Sequence, residues 1–135
     1  MCGSAEVHSK TCSACTKDLP ITAFNKQSKS VDGHQAYCRD CQSEHKRWIR
    51  YGVTTKWVNQ KMEEQNGECA VCAISLEEYL KVYAGKRKHF DIDHCHTTGK
   101  PRALLCNRCN MVLGQVDDNI GLLKHLQRYL RKHMI

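Results

Sequence analysis

The sequence predicts a small α+β fold built from two cysteine-stapled modules, with helices between and after them. Three observations predict it. Ten cysteines stand in 135 residues, and eight of them form CxxC pairs: Cys12/Cys15, Cys38/Cys41, Cys69/Cys72 and Cys106/Cys109. Aromatic residues are only 7% of the chain and mean hydropathy is −0.60, so an apolar core is thin and the fold needs staples. The residues from His89 to Asn110 read as strand, turn, strand and helix.

Disulfides are the rival account of so many cysteines. A spacing of two residues, repeated in four pairs, fits a metal better, because each pair offers two thiolates from one tight turn, half of a tetrahedral zinc site. The start MCGSAEVHSK has no apolar core of the kind a secretory signal needs, and no apolar run approaches membrane-spanning length. A reducing cytoplasm without membrane attachment is the expected setting, where thiolates bind zinc rather than pair. About two structural zinc ions are therefore expected.

Residues 1–9 read as a loose tail. Residues 10–44 form the first module, with Cys12, Cys15, Cys38 and Cys41 closing a zinc ribbon or knuckle. Leu19-Pro20, Ala23-Phe24 and Asp32-Gly33 signal short strands and a turn between the two pairs. Residues 45–66 form basic connecting helices: His45, Lys46, Arg47 and Arg50 surround Trp48 and Ile49, Gly52 breaks the helix, and Thr54 or Thr55 caps a second one running to about Gln65. Residues 67–135 form the second module. Its insert between the cysteine pairs opens helical (SLEEYLKVYAGKRK). Strand character follows at His89–Asp93, a turn at Thr98–Pro101, a second strand at Arg102–Leu105 and a helix from near Cys106. Asp117-Asp118-Asn119 can cap a last helix, Ile120–His133, whose Leu123, Leu126 and Leu130 mark the face expected to pack on the module.

The segment DIDHCHTTGKPRALLCNRCN crowds Asp93, His94 and His96 beside a CxxC pair with Asn110 directly behind it. Four ligands complete a zinc site, and Cys69, Cys72, Cys106 and Cys109 already supply four. Consecutive strand residues face opposite sides, so His94 and Cys95 do not share one ion. Asp93, His94, His96 and Asn110 are left over. The carboxylate of Asp93 and the amide oxygen of Asn110 are hard donors suited to magnesium or manganese. An imidazole side chain suits His94 to take a proton from water. One divalent ion with one histidine is a minimal phosphodiester hydrolase.

GECAVC followed by this segment resembles the phage recombination endonuclease VII family within the HNH (His-Me finger) nucleases. RYGVTTKWVNQKMEEQNG is similar to the helical lead-in of that family, and the first module to a zinc module found ahead of many phage members. The resemblance implies a ββα-metal nuclease core with flanking helices. It implies structural zinc at Cys69, Cys72, Cys106 and Cys109, and a catalytic magnesium or manganese ion at Asp93 and Asn110. His94 would be the general base, and His96 would orient the scissile phosphate or assist the leaving group. The implied substrate is duplex or branched DNA, with 5′-phosphate products, and the implied setting a phage gene acting in a bacterial host. A homodimer, or a phage packaging or recombination partner, stays open. Ala103 stands where the family usually has glycine, Cys95 reads as a small buried side chain, and the dimer-forming helical tail of the best-known member has no counterpart here.

The net charge of +7, from 21 Lys+Arg against 14 Asp+Glu, suits a polyanionic partner. Lys46, Arg47, Arg50, Arg102 and Arg108 are the candidate phosphate contacts. A non-catalytic zinc module binding DNA or protein is the alternative; it leaves Asp93, His94, His96 and Asn110 as coincidence. A thioredoxin-type redox role is weaker, because no βαβ setting surrounds any CxxC.

Overall fold

The structure, a computed structural model, describes residues 8–134. Most of the expected tail lies outside the described residues, and Ser9 already belongs to the first strand. The chain divides into two compact units, the first ending at Arg50 and the second beginning at Tyr51.

The first unit is two hairpins and a helix. β1 (Ser9–Thr11) pairs antiparallel with β2 (Asp18–Pro20). A 3-10 turn at Ile21–Ala23 leads into β3 (Phe24–Lys26), which pairs antiparallel with β4 (His34–Cys38). The turn at Asp32-Gly33 forms because Gly33 takes φ +72°, open to a residue without Cβ, while Asp32 Oδ1 accepts the His34 N–H at 3.0 Å. α1 (Arg39–Tyr51) follows directly on Cys38. The core is Cys12, Phe24 and Cys38, with Cys15, Leu19, Ala23 and Cys41 against it. Burying one phenylalanine contributes about 1.5–3 kcal/mol, while ordering each residue's backbone costs about 1–2 kcal/mol. A core of this size does not hold the unit without a staple.

The second unit has a larger core: Val53, Cys69, Tyr79, Phe90, Ile92, Leu104, Leu105 and Cys106. The span 45–66, expected to connect the modules, is divided. Residues 45–50 belong to the first unit, while Tyr51 and the Trp57, Val58 and Met62 side chains of α2 (Thr55–Glu64) pack on the second core. Thr54 caps α2 by accepting the Trp57 N–H. Beyond α2, the Gln65 amide acts as an extra strand partner: its Oε1 accepts the Leu104 N–H at 2.9 Å and its Nε2 donates to Leu104 O at 2.8 Å. α3 (Leu76–Val82), capped by Ser75, buries Tyr79.

β5 (Asp91–His94) and β6 (Pro101–Leu105) form an antiparallel hairpin, and α4 (Asn107–Gln115) follows at once. β5 begins two residues later than the alternation from His89 suggests. The reason is its partner: β6 ends at Leu105, because the Cys106 N–H turns to the Cys69 sulfur at 3.3 Å, so residues 89–90 have no strand to pair with. α5 (Ile120–His133) forms where expected, capped by Asn119. Its expected packing does not occur. Leu126 and Leu130 are 45% and 60% exposed, Leu123 is half-buried, and none of the three joins the core. Periodicity marked the apolar face correctly but carries no information on what, if anything, faces it.

Candidate active site

Each unit brings its four cysteines together. Cys12, Cys15, Cys38 and Cys41 have sulfur atoms within 4.8 Å of one another, as do Cys69, Cys72, Cys106 and Cys109. All the described cysteines are free thiols, so the disulfide account fails for them. The electrostatics repeat in the two clusters. The Cys12 thiol is lowered to about 6, chiefly by the Cys15 backbone N–H. Burial opposes ionisation most at Cys69, but the N–H groups of Cys72, Cys106 and Val71 outweigh it and bring the thiol to about 7. The last cysteine of each cluster moves the other way. Cys41 is pushed up to about 12, first by its hydrogen bond to the Cys38 sulfur and then by burial, and Cys109 is raised by burial and by the Cys106 sulfur. Four thiolates this close repel one another, and a divalent cation removes that penalty. Both clusters are compatible with tetrahedral zinc.

Unit 2 has side chains beyond this set. One face of α4 runs along β5. Asn107 Nδ2 donates to Asp91 Oδ2 at 3.1 Å, and seven residues on, Gly114 lies against the His96 ring, 3.8 Å from a Cβ built at that position. Asn110 lies on the same helical face, between Asn107 and Gly114, and Asp93 shares a sheet face with Asp91. Asp93 is 5% exposed, the one buried charged residue among those described.

Asp93 is held by Arg102. The guanidinium Nε donates to Oδ2 at 2.6 Å and Nη2 to Oδ1 at 2.9 Å. In a regular hairpin Arg102 would lie opposite His94, facing away from Asp93. The register shifts at this point: Asp93 pairs with Ala103 and His94 with Pro101, so Arg102 is the extra residue of a β-bulge. A bulge re-aims the side chain it carries. The sequence assigned Arg102 to a phosphate; the structure places it on carboxylates, for its Nη1 and Nη2 also donate to Asp118 at 3.1 and 3.0 Å. Both carboxylates raise its already high pKa, Asp93 most.

His94 ends β5. Its ring lies 5.5 Å from the Tyr51 ring and 5.3 Å from the His96 ring, centroid to centroid, and its Nδ1 is buried without a hydrogen-bond partner. His96 lies in the following turn, where its N–H donates to Asp118 Oδ2 at 3.3 Å. Cys95 between them is half-buried, not buried, and its thiol is lowered chiefly by the Thr98 hydroxyl. Asp118 was legible only as a possible helix cap. Its contacts come from a turn far along the chain, and no local spacing announces them. Of the other basic candidates, Lys46, Arg50 and Arg108 are exposed and Arg47 is half-buried.

A strand–strand–helix unit carrying Asp93, His94 and Asn110 beside a four-cysteine set compatible with zinc defines a ββα class. The sequence profile of the recombination endonuclease VII family matches residues 42–132. The chain belongs to that family. It is 39% identical over 83 residues to the gene 59 protein of Mycobacterium phage D29, and 37% identical over 81 residues to that of phage L5. These matches cover 61% and 59% of this chain but only 46% and 44% of those proteins, so it spans less than half the length of these curated relatives. Among solved structures, the ββα-Me type II restriction endonuclease Hpy99I aligns over 93% of this chain and 66% of its own, with 25% identity and a TM-score of 0.40. A likeness at that score leaves the fold to be argued from the chain's own geometry.

Proposed function

We propose that the chain is a metal-dependent DNA endonuclease hydrolysing phosphodiester bonds. The observation that carries this reading is the surplus in unit 2: Asp93 and His94 close β5 and Asn110 stands in α4, the helix that follows the hairpin, while the cysteine cluster is complete without them. Membership of the endonuclease VII family supports it. Among the described residues, no helix is long and apolar enough to cross a membrane.

Asp93 and Asn110 fit a hard divalent ion, magnesium or manganese. An ionised carboxylate has about four lone-pair sites. Arg102 uses one on each oxygen, which leaves one on each with which Asp93 would hold an ion together with the Asn110 amide oxygen. When bound, such an ion stabilises charge on the attacked phosphate and on the departing oxygen. The chain's own residues do the rest. His94 takes the proton from the attacking water. Attack in line with the 3′ oxygen leaves a 5′-phosphate and a 3′-hydroxyl. His96, in the turn that follows β5, orients the phosphate or assists the leaving group. Lys46, Arg47, Arg50 and Arg108 contribute phosphate contacts whose strength falls with salt. The two cysteine clusters bind zinc for stability alone, since four cysteine ligands leave no open position.

The test is nicking of supercoiled plasmid with Mg²⁺ or Mn²⁺. Wild type is expected to convert it, and His94→Ala to be slower by about 10²–10⁴-fold. Equal persistence of supercoiled DNA with both proteins rejects the reading and leaves a non-catalytic zinc module. A labelled four-way junction run against linear duplex of the same arms then decides between branched and ordinary DNA.

A further inference from the structure

Asp118 has no part in the reaction as set out above, yet it touches two of its elements. Its carboxylate accepts from Arg102 Nη1 and Nη2, and its Oδ2 also accepts the His96 backbone N–H. The two edges of the guanidinium are thus filled by different carboxylates, the Nε/Nη2 edge by Asp93 and the Nη1/Nη2 edge by Asp118. A planar fork clamped on both sides cannot rotate, and it fixes the plane of the carboxylate it holds.

Charge points the same way. Arg102 alone on Asp93 would cancel the charge that attracts a cation. With Asp118 on the far edge, the three groups carry one net negative charge. The backbone is committed to this arrangement. Asp117 and Asp118 both take left-handed φ, 50° and 55°, conformations that residues with a Cβ adopt sparingly. Capping does not explain it, because Asn119 is the cap, accepting the Leu122 N–H at 2.9 Å.

We propose that Asp118 is a positioning residue: through Arg102 it orients Asp93 toward the divalent ion, and through the His96 N–H it fixes the turn that carries His96. This rests on the nuclease reading above. Hydrogen-bond partners behind a ligating carboxylate are typically worth about 10–100-fold in metal affinity.

The experiment is Mn²⁺ binding to the zinc-loaded full chain without DNA, followed by the electron paramagnetic resonance of free Mn²⁺. Wild type, Asp93→Ala, Asp118→Ala, Asp118→Asn, Arg102→Ala and the Arg102→Ala/Asp118→Ala double variant are compared. Asp118→Ala is expected to weaken binding about 10-fold, and Asp118→Asn less, since it keeps an acceptor but loses the charge. In the Arg102→Ala background, Asp118→Ala should add less than about twofold, because its effect on Asp93 runs through Arg102. In nicking assays Asp118→Ala should lower kcat while KM for DNA stays within about twofold. Wild-type Mn²⁺ affinity in Asp118→Ala, or full additivity in the double variant, overturns the proposal. So does loss of zinc or of the folding transition in both Asp118 variants, which would make the residue purely structural. If wild type neither nicks nor loses Mn²⁺ affinity on Asp93→Ala, the nuclease reading itself falls and takes this proposal with it. If wild type nicks and needs Asp93 while Asp118→Ala matches it, only the positioning role is lost.

Discussion

The two units carry the same staple on different bodies. Each gathers four cysteines from one tight turn and one helix start, and in each a backbone N–H of the second pair reaches a sulfur of the first: Cys38 to Cys12, and Cys106 to Cys69, both at 3.3 Å. Around that shared motif the first unit buries one large side chain among the described residues, Phe24, whereas the second buries Tyr79, Phe90, Ile92, Leu104 and Leu105. Among the described residues only the second unit also buries a charge, Asp93. An ionised carboxylate out of water needs fixed partners, and fixed partners need a packed body to hold them. The staple closes a fold; the core beneath β5 and β6 is what lets a charge be buried.

The largest effect should come from the cysteines. Structural zinc contributes about 10–16 kcal/mol of apparent binding energy to small domains. Cys106→Ser is expected to halve the zinc content, abolish the second unit's thermal transition and end nicking. Cys38→Ser should cost a similar share of zinc but spare the transition of the second unit. Elemental analysis with circular dichroism checks both, and loss of the second transition in Cys38→Ser would break the comparison.

Core truncation sharpens it. Leu104→Ala, at a site 1% exposed, should destabilise the second unit by about 2–5 kcal/mol and leave it folded in zinc. Phe24→Ala removes the one large side chain of its core, and the first unit is expected to have no separate urea transition left.

Acid should produce a smaller effect with a defined sign. Arg102 holds the Asp118 carboxyl below its ordinary 3.8. A carboxyl lowered in the folded state adds stability that is present above the unfolded pKa and lost as pH falls through the folded one. The stability difference between wild type and Asp118→Asn should therefore be constant above about pH 5 and shrink below about pH 4, measured by urea melts in a fixed zinc buffer. A difference that grows on acidification contradicts the pairing. The smallest effect is expected at Lys81→Ala, whose pair with Glu77 is exposed on α3: about 0.5 kcal/mol or less.

Much of the fold was legible because it is local. The CxxC spacings, the caps at Thr54 and Asn119, the turn at Gly33 and the helix through Cys109 each depend on residues a few positions apart. The place of Asn110 on that helix was legible for the same reason: it directly follows Cys109, one turn after the N-cap Cys106. The start of β5 was read early because strand length depends on the partner strand, and Cys106 ends that partner. The face of α5 was marked correctly, but its leucines do not join the core.

By itself the sequence determined both cysteine sets, the strand–strand–helix order and which polar residues those sets leave unused, since ligand count and side-chain period are properties of spacing. Only the tertiary structure decided where Arg102 points and what Asp118 does. A single inserted residue in β6 turns Arg102 from the face of His94 to that of Asp93, and a turn between α4 and α5 brings Asp118 to meet it. No periodicity records a bulge, and no local motif records a contact between residues that only folding brings together.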